Sequence, residues 1–237
     1  MKLKRAGSIQ TYYPQWEDKN ADGVVDAAGG FPGVRVLSEF SDPKILIATS
    51  SMRELYNSAD EYVAGSISVN TQELEIFGGT ASAKGWTLIG FILPFPATRV
   101  YVKTWACCVN APNTNIFMCN EGAIDAPDKY EKSYRLCLDA YNNQLSLQKG
   151  VGGSYTVLGS VSGVDYNTFY KLEMYFSGDG SGNNTIKIWR DDVLEIDVSD
   201  SETNIPTIND IRFAVRDDSD TEARSGKFKG YTVIVYE

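Results

Sequence analysis

The sequence predicts an all-β protein, two antiparallel sheets packed as a sandwich, and three observations carry that expectation. From Val34 onward, short apolar or alternating runs follow one another, divided by clusters of Gly, Asn, Asp, Ser and Pro. Such turn signals, recurring about every 8 to 12 residues, are the spacing of a sandwich. The aromatic content, with Tyr 14 and Phe 10, suits a pleated, half-buried surface. With 237 residues, 43% of them hydrophobic and 22% charged, the chain has enough apolar surface for one large core.

Taken in order, the expected strands are Val34 to Phe40, Ile45 to Thr49, Tyr62 to Val69, Leu74 to Phe77 and Trp86 to Leu93. Arg99 to Val109, Asn115 to Cys119, Ser133 to Leu138, Gln144 to Gln148 and Tyr155 to Val161 follow. The last are Phe169 to Phe176, Thr185 to Trp189, Val193 to Val198, Asp210 to Val215 and Gly226 to Tyr236. A helical period shows only around Ser51 to Asn57. Alternation fixes which faces are wet: Tyr170, Leu172, Met174 and Phe176 share one face, Lys171, Glu173 and Tyr175 the other. A chain of this many strands requires two packed sheets.

Charge and missing residue types exclude several functions. The net charge is −9, and the basic residues do not cluster beyond Lys2, Lys4 and Arg5, so no footprint for a phosphate backbone exists. The apolar stretch from Leu88 to Phe95 is far short of the roughly 20 residues of a spanning helix, and no membrane insertion is expected. The chain has no histidine, which removes Ser-His-Asp and Cys-His catalysis and His-ligated zinc. Only carboxylate chemistry survives. The basic start Met1-Lys2-Leu3-Lys4-Arg5 is followed by Thr11-Tyr12-Tyr13-Pro14 rather than an apolar segment, so no signal peptide is visible. Cys107, Cys108, Cys119 and Cys137 match no zinc spacing. They are expected as buried free thiols, with one cross-strand disulfide as the alternative.

The most specific motif is Asp18-Lys19-Asn20-Ala21-Asp22-Gly23-Val24-Val25-Asp26. Hard cations want six to eight oxygens at about 2.3 to 2.6 Å. Asp18, Asn20 and Asp22 supply them at alternate positions, Gly23 permits the turn, Val24 offers its carbonyl and Asp26 a further carboxylate. A bound Ca²⁺ is the expectation; an unmetallated Asx-turn is the plain alternative. Gly29 stands where an EF-hand needs Glu, and no amphipathic helix flanks the loop. The segment is therefore similar to the Asp/Asn-rich loops of dockerins and thrombospondin-type repeats, structural clips rather than switches. The acidic run Asp217-Asp218-Ser219-Asp220-Thr221-Glu222 offers hard oxygens for a second Ca²⁺ or forms a solvated loop.

From residue 85 onward the order of elements resembles the concanavalin A-like lectin/glucanase superfamily, in its laminin G-like form. The resemblance lies in the hairpin through Asn142-Asn143, the strand Asn167-Thr168-Phe169-Tyr170-Lys171-Leu172-Glu173-Met174-Tyr175-Phe176 and the hairpin Ile186-Lys187-Ile188-Trp189-Arg190-Asp191-Asp192-Val193-Leu194-Glu195-Ile196. Ile208 to Phe213 and Gly226 to Val235 resemble its last two strands. Asp191-Asp192 stands where Asp-Gly is usual. The family implies a jelly-roll β-sandwich of two curved antiparallel sheets, often with Ca²⁺, and it hosts glycan-binding modules, adhesins, polysaccharide-cleaving enzymes and virion proteins. Fold alone does not choose among these.

Two readings of function follow. Exposed aromatic rings beside Asp and Asn are what sugars stack on and bond to. Tyr12, Tyr13, Trp16, Tyr130, Tyr141 and Tyr175 are the candidates for a glycan or interface surface. The other reading is a glucanase-like hydrolase, since Glu195-Ile196-Asp197-Val198-Ser199-Asp200 resembles the Glu-x-Asp-x-x-Glu signature of retaining glucanases. Asp200 is a methylene shorter than that pattern requires, and alternation with Leu194, Ile196 and Val198 inward is what any half-solvated strand shows. The expectation is therefore a non-catalytic lectin-like protein with no catalytic residues. It would recognise glycan or neighbouring subunits of an extracellular or virion assembly, favouring a phage or virus surface, and would be a homo-oligomer. Residues 1–33 would form an N-terminal segment with the Ca²⁺ loop, and residues 34–237 the sandwich.

Overall fold

The computed structural model describes residues 24–25, 34–35, 45–49, 52–70, 72–78, 85–111, 113–120, 132–217 and 224–236. Among them the order is β1 (Val24–Val25), β2 (Val34–Arg35), β3 (Ile45–Thr49), α1 (Met52–Ser58), β4 (Asp60–Val63), β5 (Ser66–Val69), β6 (Glu73–Phe77), β7 (Gly85–Ala97) and β8 (Arg99–Cys108). Then come β9 (Asn113–Cys119), β10 (Lys132–Asp139), β11 (Gln144–Val151), β12 (Ser154–Ser162), β13 (Tyr170–Gly178), β14 (Asn183–Arg190), β15 (Val193–Ser201), β16 (Ile208–Asp217) and β17 (Ser225–Tyr236). One seven-stranded sheet runs β12-β11-β10-β9-β16-β7-β4. An eight-stranded sheet runs β15-β14-β13-β8-β17-β6-β5, with β3 also paired to β17. Every pairing is antiparallel, and the two sheets stack as the expected jelly-roll sandwich. The short pair β1-β2 stands apart as its own ladder. No helix among the described residues is long and apolar enough to cross a membrane.

The inner faces follow the alternation of the sequence. Tyr134, Leu136 and Leu138 of β10, Ile116 and Met118 of β9, and Ile211, Phe213 and Val215 of β16 are buried against Val100 and Val102 of β8 and Leu172, Met174 and Phe176 of β13. Across the interface Phe213 meets Phe228 edge-on at 5.2 Å and Tyr231 at 6.1 Å. Phe228 and Tyr231 are three apart and would face opposite sides of a regular strand. Both point inward because the register of β17 shifts between Lys229 and Tyr231. Gly230, at φ 56, is the extra residue of this bulge, a conformation glycine adopts without penalty. Thr104 Oγ1 donates to the Gly230 carbonyl at 2.7 Å and pins it.

Most boundaries fall near the expected ones, and the differences have physical causes. The run Tyr62 to Val69 is two strands, because the chain leaves the seven-stranded sheet after Val63 and enters the eight-stranded sheet at Ser66. Gly65 sits at that crossing, where an added Cβ would lie 2.1 Å from the Phe77 carbonyl oxygen. β7 continues through Pro94 and Pro96 to Ala97, beyond the expected end at Leu93. Proline removes ladder donors, and the pairing with β16 is correspondingly irregular between Ile208 and Asp210. At the β14-β15 hairpin, Asp191 and Asp192 have φ 51 and 71, so two aspartates adopt the positive-φ pair that a type I′ turn demands. A register shift in that hairpin leaves Leu194 46% exposed rather than inward as alternation implied, while Ile196 is buried.

The four cysteines are buried free thiols. Burial, with the neighbouring Cys108 adding to it, pushes Cys107 up to about 11, and burial pushes Cys137 up to about 12. Both remain protonated at neutral pH, and the thiolate is the reactive form. Titration of the native protein with a thiol reagent at pH 7.5 should therefore detect fewer than one of the four thiols rapidly, and all four in guanidinium; rapid labelling of the folded chain would contradict the burial. Gly65→Ala should lower stability by about 1–3 kcal/mol, the usual cost of forced overpacking, read from urea unfolding; an unchanged midpoint would show that the crossing relaxes.

Candidate functional site

The seven-stranded sheet has a second face, turned away from the core, and on it polar side chains are set among aromatic rings. Pairing fixes its membership. Phe117 of β9 lies opposite Arg135 of β10, which lies opposite Gln148 of β11. Phe117 also faces Arg212 of β16, and Asn115 faces Ala214. Two residues along β10 from Arg135 on either side stand Ser133 and Cys137 on the same face. Trp86, Leu88, Phe117, Cys119 and Ala214 form a separate buried apolar cluster here, with Tyr62 and Tyr155 packed against it. Trp86 meets Phe117 edge-on at 5.4 Å.

Arg135 is the centre of this arrangement. It is 8% exposed, and its guanidinium carbon lies 4.0 Å from the Tyr155 ring centroid, 5.6 Å from that of Trp86 and 5.8 Å from that of Phe117. Nη2 donates to Gln148 Oε1, whose amide in turn donates to Ser146 Oγ at 2.9 Å. Arg135 forms no ion pair with a described carboxylate, and its Nε has no hydrogen-bond partner. The contrast with Arg212 is sharp: that side chain, fully buried one strand beyond Phe117, has Asp210 at 2.6 Å. Asn115 Oδ1 and Ser133 Oγ on this face are likewise fully buried without a hydrogen-bond partner. Asn115 otherwise donates from Nδ2 to Asn113 Oδ1 at 2.9 Å. Burying a cation without a counter-charge is costly. The π faces of three rings and one amide oxygen offset part of that cost.

A second polar cluster lies between the sheets near their β12 and β15 edges. The Tyr134 hydroxyl donates to Asp200 Oδ2 at 2.7 Å and accepts from Asn184 Nδ2 at 2.9 Å. Lys149 pairs with Asp200 at 2.8 Å and with Glu202 at 3.5 Å. Burial, reinforced by the Asp200 carboxylate, holds the Tyr134 phenol well above its ordinary pKa. The Asn204 backbone N–H, bonded to Glu202, holds that carboxyl below its ordinary value. This cluster joins strands of both sheets and is occupied by its own partners.

The expected site residues are distributed as follows. Tyr141 is 73% exposed at the β10-β11 turn, as its position implied. Tyr175 lies on the non-core face of β13 as alternation required, yet it is 1% exposed and offers no open platform. It sits mid-sheet between Tyr101 and Lys187, beside the Tyr101 hydroxyl that donates to Glu173 at 2.6 Å. Long neighbouring side chains cover one another there. Glu195 pairs with Arg190 at 2.7 Å, Asp197 lies 3.9 Å from Lys187, and Asp200 belongs to the Tyr134 cluster. The structure thus ties the three carboxylates to three different cations. Asp18, Asn20, Asp22, Asp26, Tyr12, Tyr13, Trp16, Tyr130 and residues 218–222 lie outside the described residues. Val24 is described only as part of β1, paired with Arg35. Among the described residues no group of three or more His, Cys, Asp or Glu could hold a metal ion. Arg135, Trp86, Phe117 and Tyr155 were not singled out from the sequence. Alternation in Ser133 to Leu138 does place Arg135 opposite the apolar face, but which rings surround it depends on strand order.

No family model matches the sequence, and no curated protein is detectably similar to it. Solved structures do share its fold. The chain is similar to a carbohydrate-binding module of family 66 from Bacillus subtilis, with TM-score 0.50 and 16% identity over 80% of this chain and 94% of that one. It is similar to the alginate lyase Aly36B bound to an alginate tetrasaccharide, with TM-score 0.57 and 10% identity over 80% and 93%. It is also similar to the exoplasmic/lumenal domain of VIP36 in a form bound to Ca²⁺ and Man3GlcNAc, with TM-score 0.52 and 11% identity over 76% and 84%. At such identities the likeness is one of fold: an all-β jelly-roll sandwich.

Tyr134→Phe should cost about 1–3 kcal/mol, because it leaves Asp200 and Asn184 short of a partner in a buried setting. Chemical denaturation measures this, and a loss below a few tenths would mean that Asp200 is satisfied by Lys149 alone.

Proposed function

We propose that the protein is a non-catalytic, lectin-like glycan-recognition module whose binding surface is the second face of the seven-stranded sheet. One observation carries the reading: the half-buried ring of Tyr155 on the edge strand β12 is held 4.0 Å from the Arg135 guanidinium, a fixed aromatic surface on that face. Sugars present apolar C–H faces that pack on such a ring. The fold neighbours support the reading in kind: one is a carbohydrate-binding module, one is bound to Man3GlcNAc and one to an alginate tetrasaccharide. The alternative of a hydrolase built on Glu195 requires two carboxyl groups about 5 to 5.5 Å apart and free to react. Here Glu195 is paired with Arg190 and Asp200 with Tyr134 and Lys149, which favours the non-catalytic reading.

The proposal extends to residues outside the described set. The loop of Asp18, Asn20, Asp22, Val24 and Asp26 binds Ca²⁺ as a clip, and Tyr12, Tyr13 and Trp16 beside it, with Tyr130, serve contacts to glycan or to neighbouring subunits. An extracellular or virion-surface setting and a homo-oligomeric state complete this reading.

Affinity electrophoresis through gels containing alginate, β-glucan, mannan or pectin tests the site. Retardation in at least one gel, reduced about fivefold or more in affinity by Tyr155→Ala, is the expected outcome, since loss of a stacking ring costs about 1 kcal/mol or more. No release of reducing or unsaturated ends should accompany binding. Migration unaffected by every polysaccharide would overturn the proposal. For the clip, Ca²⁺ should raise the melting temperature by mass action in the wild type and not in Asp22→Ala; equal midpoints with Ca²⁺ and with chelator would refute it.

A further inference from the structure

We infer that the protein carries a second glycan platform, on the outer face of the eight-stranded sheet and centred on Trp105, and that this platform takes a neutral sugar chain. It rests on the glycan-recognition reading above but shares no residue with the site proposed there. Trp105 lies on β8, the middle strand in the order of its sheet. The residues that share its face of that strand, Tyr101, Lys103 and Cys107, are buried, whereas Trp105 is 39% exposed. Lys103 Nζ lies 5.1 Å from the centre of its ring and helps to hold it. An indole that is both held and open to solvent offers a flat apolar surface on which the C–H face of a sugar packs.

Strand pairing sets polar groups in one row with that ring. Lys171 of β13 lies opposite Trp105, Trp105 opposite Lys229 of β17, and Lys229 opposite Glu73 of β6. With strands about 4.8 Å apart, the row spans about 14 Å, which suits a chain of sugars better than a single one. Every member reaches solvent: Lys229 has 44% of its side chain exposed, and Lys171 and Glu73 are half-buried. Lys229 Nζ lies 3.3 Å from Glu73 Oε2 and 3.7 Å from the centre of the Phe169 ring. A sugar hydroxyl accepts from the ammonium and donates to the carboxylate, so it bridges such a pair. Charge then decides the class of sugar. Lys171 pairs with Asp192, Lys229 with Glu73, and Lys103 stands opposite Glu173. With each of these lysines beside a carboxylate, the row offers hydrogen bonds but no surplus charge to draw an anionic glycan.

Calorimetric titration with hexasaccharides of β-glucan, mannan and alginate tests the inference. The proteins are the wild type, Trp105→Ala, Trp105→Phe, Tyr155→Ala and Lys187→Gln, the last a change on the same sheet two strands away, with melting curves confirming that each is folded. Trp105→Ala should weaken binding of at least one neutral hexasaccharide about fivefold or more. Tyr155→Ala should still bind that sugar, and Lys187→Gln should match the wild type. Tryptophan emission should change on binding in the wild type and not in Trp105→Phe, which reads the contact even if the alanine variant does not fold. Neutral-sugar binding that is unchanged in Trp105→Ala, or an emission change that persists in Trp105→Phe, would overturn the platform; loss of the same binding in Tyr155→Ala would then leave the first site standing. Binding lost in Trp105→Ala and untouched in Tyr155→Ala would uphold the platform and remove the first site. Preferential binding of the alginate hexasaccharide through Trp105 would overturn the neutral class, and binding of none of the three would overturn both this inference and the function on which it rests.

Discussion

The contact on which the rest of the structure depends is the wedge of Phe213 against Phe228 and Tyr231 between the middle strands of the two sheets. No backbone ladder joins the two sheets of a sandwich across their interface, so the side chains that interdigitate there set how one sheet is placed on the other. Phe91 extends the same cluster to β7 through Tyr231 at 6.0 Å. Gly230 makes this possible by shifting the parity of β17 in mid-strand. Without that extra residue, one of the two partners of Phe213 would turn to the other side of the sheet, and the neighbouring pairs on β8 would lose their registry.

Much of this was legible in the sequence, and the exceptions are instructive. Alternation identified the inner face of β13, Tyr170, Leu172, Met174 and Phe176, because the period of a strand is a local property. The positive-φ hairpin at Asp191-Asp192 was located but not typed, since aspartate tolerates that conformation less openly than glycine. The division of residues 60–69 between two sheets was hidden, because Gly65 reads as an ordinary turn residue until the Phe77 carbonyl beside it is known. The candidate site was the least legible part. Arg135, Phe117, Trp86 and Tyr155 come from four strands, and only the order β12-β11-β10-β9-β16-β7 brings them together. Exposure was also misjudged at Tyr175, where parity gives the face but not the crowding upon it.

The two faces of the seven-stranded sheet represent two solutions to burial. Toward the core, apolar side chains satisfy one another without specificity. On the other face, charged and amide groups are buried as well, and each must be answered individually: Arg212 by Asp210, Gln148 by Arg135 and Ser146. Groups left unanswered, at Arg135, Asn115 and Ser133, carry a stability cost that a folded protein keeps only where something else compensates it. The cation–π stacking around Arg135 keeps the guanidinium plane in place while leaving its charge unneutralised.

The crossing at Ala64 and Gly65 is one of several by which the chain laces the two sheets together; others run from β7 to β8 at Thr98 and from β15 to β16. At β12 and β15 the sheets meet through packing of Gly159 on Ile196 and through Arg190, which reaches across to the carbonyls of Ser162 and Gly163 at 3.1 and 2.7 Å. The chain itself closes this edge as well, crossing from β12 to β13 through residues 163–169. The sandwich is laced rather than hinged, so neither side can part alone and the two sheets lose their packing together.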